Sequence, residues 1–195
     1  MIATLYDIHG NLRALEAVLA EVPDEATIVV GADVCFAGPQ PSEALERLRG
    51  LGDRIVWVRG NTDRTITTES GLSDEQVAFL QALPPTQQID RVLYVHASPR
   101  NDMDVFTERT PEERIAFLFE DVDADVVVCG HTHMQFERTI GGKRVINSGS
   151  VGAPFEEKPG AYWTLDLVPR CTPYDGAQLE GARAEMLAKY TEIGL

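Results

Sequence analysis

Short apolar runs alternate with amphipathic stretches in the first half of the chain. The apolar runs of strand length are residues 2–6, 27–30 and 54–58. Each is followed by apolar residues at helical spacing, and Asn11, Pro41 and Ser73 mark the three helix starts. This alternation predicts parallel strands joined by helical crossovers.

The second half of the chain has a different pattern. Further strands are predicted at residues 92–95, 125–129 and 162–167. Gly141-Gly142 divides the run FERTIGGKRVI and predicts a β-hairpin. Helices are predicted from Pro111 to Phe119 and over the amphipathic stretch from Leu179 to Tyr190. The elements together predict an α/β fold.

Composition limits the class of protein. A chain of 195 residues, 44% of them hydrophobic, is about the size of one globular domain, so residues 1–195 are predicted to form a single domain. Seventeen basic and 31 acidic side chains give a net charge of -14. That charge argues against stable nucleic-acid binding and against binding to anionic membranes, but not against a small phosphorylated substrate held by metal ions.

Cysteine usage and hydropathy indicate the compartment. Cys35, Cys129 and Cys171 lie far apart and form no CxxC pair, so no disulfide framework is predicted. The chain also has no secretory-signal pattern and no run of about 18 apolar residues. We therefore expect a cytoplasmic protein that does not enter the membrane. Whether it forms a homo-oligomer is left open by the sequence.

Polar residues with metal-binding side chains follow the predicted strands. They are Asp7 and His9, Asp33, Asn61 and Asp63, His96, and His131 and His133. Asp7 and His9 alternate, so an extended backbone would point both side chains the same way. Carboxyl ends of strands are where open α/β sheets bind ligands. A single histidine is more often a hydrogen-bonded, half-buried residue than a ligand, but all four histidines of this chain lie at such positions.

The donor types indicate which ions would bind. Carboxylate and amide oxygens beside neutral imidazoles suit Mn, Fe, Zn, Co or Ni better than an all-oxygen calcium site or a cysteine zinc site. So many candidate ligands are used most economically by two ions that share a carboxylate. The sequence therefore predicts two divalent metal ions in one crevice.

At these residues the chain resembles the calcineurin-like metallophosphoesterases, particularly their small bacterial phosphodiesterase branch. The motifs, in the family's order, are Asp7-Ile8-His9-Gly10-Asn11, Asp33 before Gly38-Pro39, Gly60-Asn61-Thr62-Asp63, His96, Gly130-His131-Thr132-His133, and Asn147-Ser148-Gly149-Ser150-Val151-Gly152. The resemblance spans about residues 5 to 152. It implies a four-layer α-β-β-α sandwich of two mixed β-sheets flanked by helices.

The resemblance also implies a metal-ligand set. The first ion would be held by Asp7, His9 and His133, the second by Asn61, His96 and His131, and Asp33 would bridge them. Manganese is the first expectation, and Fe, Zn, Co or Ni would suit the same donors. Two such ions can share a water, lower its pKa and clamp the phosphoryl oxygens for in-line attack. Asp33, Asn61 and His131 are the predicted catalytic residues.

Substrate contacts are predicted at Asn61, Arg100, Gly149 and Ser150. The glycines of SGSVG either cradle an anion with backbone N–H groups or only form a turn, and the sequence favours neither. Gly10, Gly60 and Gly130 are interpreted as turns that bring the backbone close to the ions.

The chain departs from the family pattern at several positions. Ala32 stands where the family usually has a glycine before the bridging aspartate. Ser148 replaces a usual proline, and Phe155 stands where many relatives have an arginine, so Arg59, Arg64 or Arg100 is expected to contact phosphate instead. Thr62 occupies the place of a histidine that can protonate the leaving group, and Asp63 is the first alternative acid.

The sequence thus predicts a dinuclear metal-dependent phosphoesterase that hydrolyses small phosphodiesters, or phosphomonoesters, by attack of a metal-bridging hydroxide. Ser98 and Cys35 lie near the motifs without a free general base and are interpreted as structural. The alternative is a non-catalytic binding or scaffold protein on the same fold, like relatives that have lost ligands and work in protein assembly. The complete ligand set favours the enzyme.

Overall fold

The computed structural model describes residues 1–175, so the helix predicted from Leu179 to Tyr190 lies outside the described residues. The described strands are β1 (Ile2–Leu5), β2 (Thr27–Gly31), β3 (Ile55–Val58), β4 (Thr86–Ile89), β5 (Val92–Val95), β6 (Val126–Cys129), β7 (Gln135–Ile140), β8 (Lys143–Ser148), β9 (Ala161–Leu165) and β10 (Val168–Thr172). The described α-helices are α1 (Leu12–Leu19), α2 (Pro41–Arg49), α3 (Asn61–Thr65) and α4 (Asp74–Gln81). None of these helices has the length and apolarity needed to cross a bilayer.

The strands form two mixed five-stranded sheets. The first has the order β10-β9-β1-β2-β3 and the second the order β4-β5-β6-β8-β7. In the first sheet, β1, β2 and β3 are parallel and β9 and β10 are antiparallel additions. In the second, β5, β6 and β8 are parallel, with β4 and β7 antiparallel at the edges. The predicted parallel start and the hairpin at Gly141-Gly142 are both confirmed.

The two sheets pack face to face. One buried cluster joins them: it contains Tyr6, Val29 and Val58 from the side of the first sheet, and Tyr94 and Val128 from the second. The Tyr6 hydroxyl donates a hydrogen bond of 3.0 Å to the Val128 carbonyl. Burying apolar area between the sheets stabilises their packing and fixes the strand ends relative to each other.

Each sheet buries its outer face as well. Helices α1, α2 and α4 cover the first sheet with residues such as Leu15, Leu45 and Leu80. The second sheet is covered by Phe106 and Phe119 from the segment after β5. This arrangement confirms the predicted sandwich of two mixed sheets, with α-helices outside the first sheet and 3₁₀ turns outside the second.

The predicted helix from Pro111 to Phe119 is wrong. The segment forms two 3₁₀ turns, Glu112–Arg114 and Ala116–Leu118, separated at Ile115 by a φ of -131°. Apolar residues three and four apart fit a 3₁₀ turn as well as an α-helix, so their spacing did not distinguish the two. Two edge strands, β4 and β10, were missed because TQQI and VPRCT lack an apolar pattern.

The helix starts are confirmed. The Asn11 side chain accepts the Ala14 N–H at 3.2 Å, and Pro41 is the first residue of α2. Ser73 and Gln76 cap each other at the start of α4. The cap at Asn11 ends the loop that carries Asp7 and His9, and so fixes where that loop can lie.

Candidate metal centre

The loops that follow the strands bring all seven predicted ligands together. Asp7 and His9 follow β1, Asp33 follows β2, Asn61 begins α3, His96 follows β5, and His131 and His133 follow β6. Six of them are buried, and Asn61 is half-buried. Both sheets therefore contribute to one site.

Most of the candidate ligands have left-handed backbone. Asp7, His9, Asp33, His131 and His133 have φ values of 52°, 49°, 50°, 64° and 60°. This conformation costs an L-residue about 1–2 kcal/mol and tends to occur at functional sites. The sequence argument from extended backbone at Asp7 and His9 is wrong, since β1 ends at Leu5. Both side chains nevertheless face the same site.

The first group of donors is Asp7, His9 and His133. His9 Nδ1 lies 2.9 Å from the Phe36 carbonyl oxygen, and His133 Nδ1 lies 2.6 Å from that of Ala153. A carbonyl oxygen only accepts, so in the neutral imidazoles each Nδ1 carries the proton and each Nε2 keeps its lone pair. The two Nε2 atoms are 3.1 Å apart. Asp7 Oδ1 lies 3.5 Å from His133 Nε2 and 3.9 Å from His9 Nε2.

These donors fit a divalent cation. Two imidazole lone pairs facing each other at 3.1 Å repel unless something positive lies between them. Asp7 Oδ1 is buried and has no hydrogen-bond partner among residues 1–175, which is costly for a carboxylate oxygen. Ligands held at about 2.1 Å by one ion lie about 3 Å apart. A metal ion would therefore satisfy all three side chains.

The second group is built around His96. Its Nε2 lies 2.8 Å from Asn61 Oδ1, 3.1 Å from His131 Nδ1 and 3.6 Å from Asp33 Oδ2. Asp33 Oδ1 accepts the Thr62 N–H at 3.0 Å. Two imidazole nitrogens, an amide oxygen and a carboxylate oxygen make a donor set for a second divalent ion.

Asp7 connects the two groups. The donor atoms of Asp7, His9 and His133 lie within 4.8 Å of one another, and so do those of Asp7, Asp33 and His96. Asp7 Oδ2 also accepts the His131 backbone N–H at 2.9 Å. The family resemblance assigns the bridging role to Asp33, and the structure places Asp7 against both groups as well.

The charges of the first group are strongly coupled. Burial raises the pKa of Asp7, but the imidazoles, His133 first, outweigh it and hold that pKa well below its usual range. Burial lowers the pKa of His133, but the negative charge of Asp7, the largest of several opposing causes, raises it above its ordinary value. Burial and then the charge of His133 lower the pKa of His9. Asp7 is thus an ionised carboxylate that attracts positive charge.

Comparison with known proteins gives the family. Residues 1–169 match the family model described as the calcineurin-like phosphoesterase superfamily domain. The chain belongs to this superfamily. The resemblance inferred from the motifs is thereby confirmed over most of the chain.

Two relatives and a more distant neighbour illustrate the likeness. Phosphodiesterase YfcE of Escherichia coli is 28% identical over an alignment of 175 residues, and the match covers 82% of this chain and 84% of YfcE. A metallophosphoesterase structure from Sphaerobacter thermophilus has a TM-score of 0.75 and 25% identity, and the match covers 100% of this chain and 94% of that one. Vps29 of Entamoeba histolytica, complexed with Zn²⁺, matches with a TM-score of 0.53 and 20% identity over 85% of this chain and 86% of its own, and shares the fold.

Two glycines make room for the carboxylates of this calcineurin-like site. A Cβ atom at Gly60 would lie 2.2 Å from Asp33 Oδ1, and one at Gly130 would lie 2.5 Å from Asp7 Oδ2. The sequence interpretation treated both as turns near the ions. The structure gives a more specific reason, because any side chain there would displace a candidate ligand.

Asp63 holds the backbone of the loop that carries Asp33. Its carboxylate accepts the N–H groups of Asp33 at 2.8 Å, Val34 at 3.1 Å and Gly60 at 3.0 Å. Burial, and then the charge of Asp33, raise the pKa of Asp63 to about 6. Fully buried and turned toward the backbone, Asp63 is not placed to protonate a leaving group. The sequence named it as the first alternative acid and missed this positioning role.

Gly149 and Ser150 lie beneath the site rather than at its surface. The Gly149 N–H donates to Asn147 Oδ1 at 3.0 Å. The Ser150 hydroxyl donates to the Asp7 carbonyl at 2.7 Å and accepts the Ala153 N–H at 2.8 Å. These bonds favour the turn over the anion cradle, and they remove both residues from the substrate contacts we propose below.

Ser98 and Cys35, interpreted from the sequence as structural, have structural roles in the fold. The Ser98 hydroxyl donates to Asp104 and accepts the N–H groups of Arg100 and Asn101, which closes a tight loop. Cys35 is buried, and burial raises the pKa of its thiol well above the usual range. Neither side chain is available as a nucleophile.

A pocket of about 280 Å³ opens beside His96. Arg59, Arg64 and Arg100, the three arginines suggested as phosphate contacts, all line it. The calcineurin-like centre therefore lies next to a concentration of positive charge in a chain whose net charge is -14.

Proposed function

We propose that this calcineurin-like phosphoesterase hydrolyses small phosphodiesters, or phosphomonoesters, with two divalent metal ions, manganese first among them. The observation that carries the proposal is the pair of donor groups around Asp7. Contacts between their nitrogen and oxygen atoms are 2.8 Å for His96 and Asn61, 3.1 Å for His9 and His133, and 3.9 Å for His9 and Asp7. The name of YfcE, a phosphodiesterase, supports diesters as the first substrates to try.

Each ligand has a proposed place. Asp7, His9 and His133 would hold one ion, Asn61, His96 and His131 would hold the other, and Asp33 would be shared by both. Bound there, two divalent ions would activate a water for attack and withdraw charge from the phosphoryl oxygens.

The chain's own contribution is orientation. The Phe36 and Ala153 carbonyls fix the tautomers of His9 and His133, so that both Nε2 atoms point to the metal position. Asp63 holds the backbone of Asp33. Preorganised donors of this kind reduce the reorganisation needed when charge develops on the substrate.

The site lacks an effective general acid at Thr62 to protonate the leaving group. The Thr62 hydroxyl is buried without a hydrogen-bond partner in the described part of the chain, and a hydroxyl is a poor acid near neutral pH. We therefore propose that substrates with acidic leaving groups react best.

Bis-p-nitrophenyl phosphate tests the proposed function. We expect protein stripped with EDTA to be inactive and to regain turnover with Mn²⁺ or with Fe, Co, Ni or Zn ions. A screen of cyclic nucleotides, dinucleotides and phosphomonoesters would then narrow the substrate. Absence of metal-dependent turnover with every ion would favour the alternative, a non-catalytic scaffold on this fold.

A further inference from the structure

The pocket beside His96 contains guanidinium groups that pair with no carboxylate of residues 1–175. Arg64 is neutralised, because Asp102 binds it through two hydrogen bonds of 2.7 and 3.1 Å. Arg59 and Arg100 form no ion pair in residues 1–175. The chain has 31 acidic and 17 basic side chains, so a pocket with two unpaired arginines differs in charge from the protein as a whole.

Both unpaired arginines are held in place by uncharged contacts. Arg59 Nη1 donates to the Gln81 carbonyl at 2.9 Å, while its buried Nε has no hydrogen-bond partner in the described residues. The Arg100 guanidinium lies 5.0 Å from the centre of the Phe117 ring. Contact with an aromatic face orients a guanidinium without neutralising it. Both groups can therefore still bind an anion.

The outer side of Arg100 limits where that anion can lie. A second cavity of about 600 Å³ shares Thr86, Pro99 and Arg100 with the first and continues past Phe117. Glu120 and Asp121 line this outer cavity and form no ion pair in the described chain. Their charges repel an anion, so the favourable position is between His96 and Arg100.

We propose that this pocket binds a second phosphate of the substrate. The preferred substrates would then be phosphoesters whose leaving group carries a further phosphate, with the uncharged remainder in the outer cavity. This inference rests on the proposed function for the position of the first phosphoryl group at the metal centre. Arginine is suited to the role because its planar fork binds phosphate oxygens in pairs.

Binding to Mn²⁺-loaded protein tests the proposal without requiring turnover. Calorimetry would compare adenosine 5′-monophosphate with adenosine 3′,5′-bisphosphate and with adenosine 5′-diphosphate. We expect at least one of the two ligands with a second phosphate to bind about 10-fold or more tightly than the monophosphate, as one charge-assisted hydrogen-bonding contact would give. Arg100→Gln should remove most of this preference, and Arg100→Lys should keep part of it because the charge remains.

Arg170→Gln is the matched control, since it removes the same charge from an exposed position on β10. It should leave the preference intact. Equal affinities for all three ligands in the parent, or a preference that survives Arg100→Gln, would overturn the proposal. If the preference depends on Arg100 but no phosphoester is hydrolysed, the pocket stands and the proposed catalytic function fails.

Discussion

Asp33→Asn should separate the metal-binding role of Asp33 from its part in the fold. An asparagine oxygen can still accept the Thr62 N–H that Asp33 Oδ1 accepts at 3.0 Å, so the loop should keep its shape. The substitution removes the negative charge that lies 3.6 Å from His96 Nε2. Removing only the hydrogen-bonding partner of a metal ligand lowers metal affinity about 10- to 100-fold. We expect the Mn²⁺ affinity of Asp33→Asn to fall by more than that, because the ligand itself changes. Turnover should fall with it.

The same substitution should stabilise the metal-free protein. Burial, and then the charge of Asp33, raise the pKa of Asp63 from 3.8 to about 6. That rise corresponds to about 3 kcal/mol, of which burial accounts for the larger part and the charge of Asp33 for a smaller part. Because the folded pKa of this acid is the higher one, the penalty is absent at low pH, builds up between the two pKa values, and is complete above about pH 6.

The assay combines three measurements on parent and variant. They are metal content by mass spectrometry, hydrolysis of bis-p-nitrophenyl phosphate, and thermal unfolding in EDTA at about pH 7.5 and about pH 4. Asp24→Asn, at an exposed position, is the matched control and should change none of them. Two bound ions with near-normal turnover in Asp33→Asn would refute the assigned metal role. A lower unfolding temperature in EDTA at about pH 7.5 would refute the electrostatic argument.

Three further predictions address other parts of the site. Thr62→His should raise kcat/KM for alkyl phosphodiesters more than for nitrophenyl ones, since a positioned acid contributes about 10²- to 10⁴-fold; a flat leaving-group dependence in the parent would contradict this. Gly130→Ala should weaken metal binding and lower the free energy of unfolding by about 1–3 kcal/mol, because its Cβ would lie 2.5 Å from Asp7 Oδ2. Calorimetry checks the metal affinity and thermal unfolding checks the stability, and Gly50→Ala is the control. Because the pKa of His133 is raised, protons should compete with the metal ion for this side chain. The Mn²⁺ affinity measured by titration should therefore fall as the pH drops through neutrality. A constant affinity from about pH 8 to about pH 6 would contradict this prediction.

The strands that carry the ligands could be predicted because their runs are mostly apolar and each of their residues is buried or half-buried. Residues Val126–Cys129, for example, contact neighbours on both faces and are apolar throughout. The edge strand Thr86–Ile89 was not predictable in this way, because its exposed positions alternate and its residues are mostly polar. Edge strands are defined by their partner's backbone more than by their own side chains.

The site could be predicted as a set of residue types but not as a geometry. The ordered motifs identified Asp7, His9 and the other candidate ligands, since few structural roles place so many donors after strands. The left-handed backbone at five of them could not be anticipated, because nothing in an Asp or His side chain requires it. The roles of Asp63, Gly149 and Ser150 depend on hydrogen bonds between distant loops, and a single sequence contains no direct record of those.

The measurement that tests the central claim most directly is a titration of EDTA-treated protein with Mn²⁺, following bound metal per chain and bis-p-nitrophenyl phosphate hydrolysis in the same samples. The donor groups around Asp7 predict two ions bound per chain, with turnover that appears only as the second position fills. Turnover that persists in EDTA, or a protein that binds no divalent ion at this site, would contradict the account.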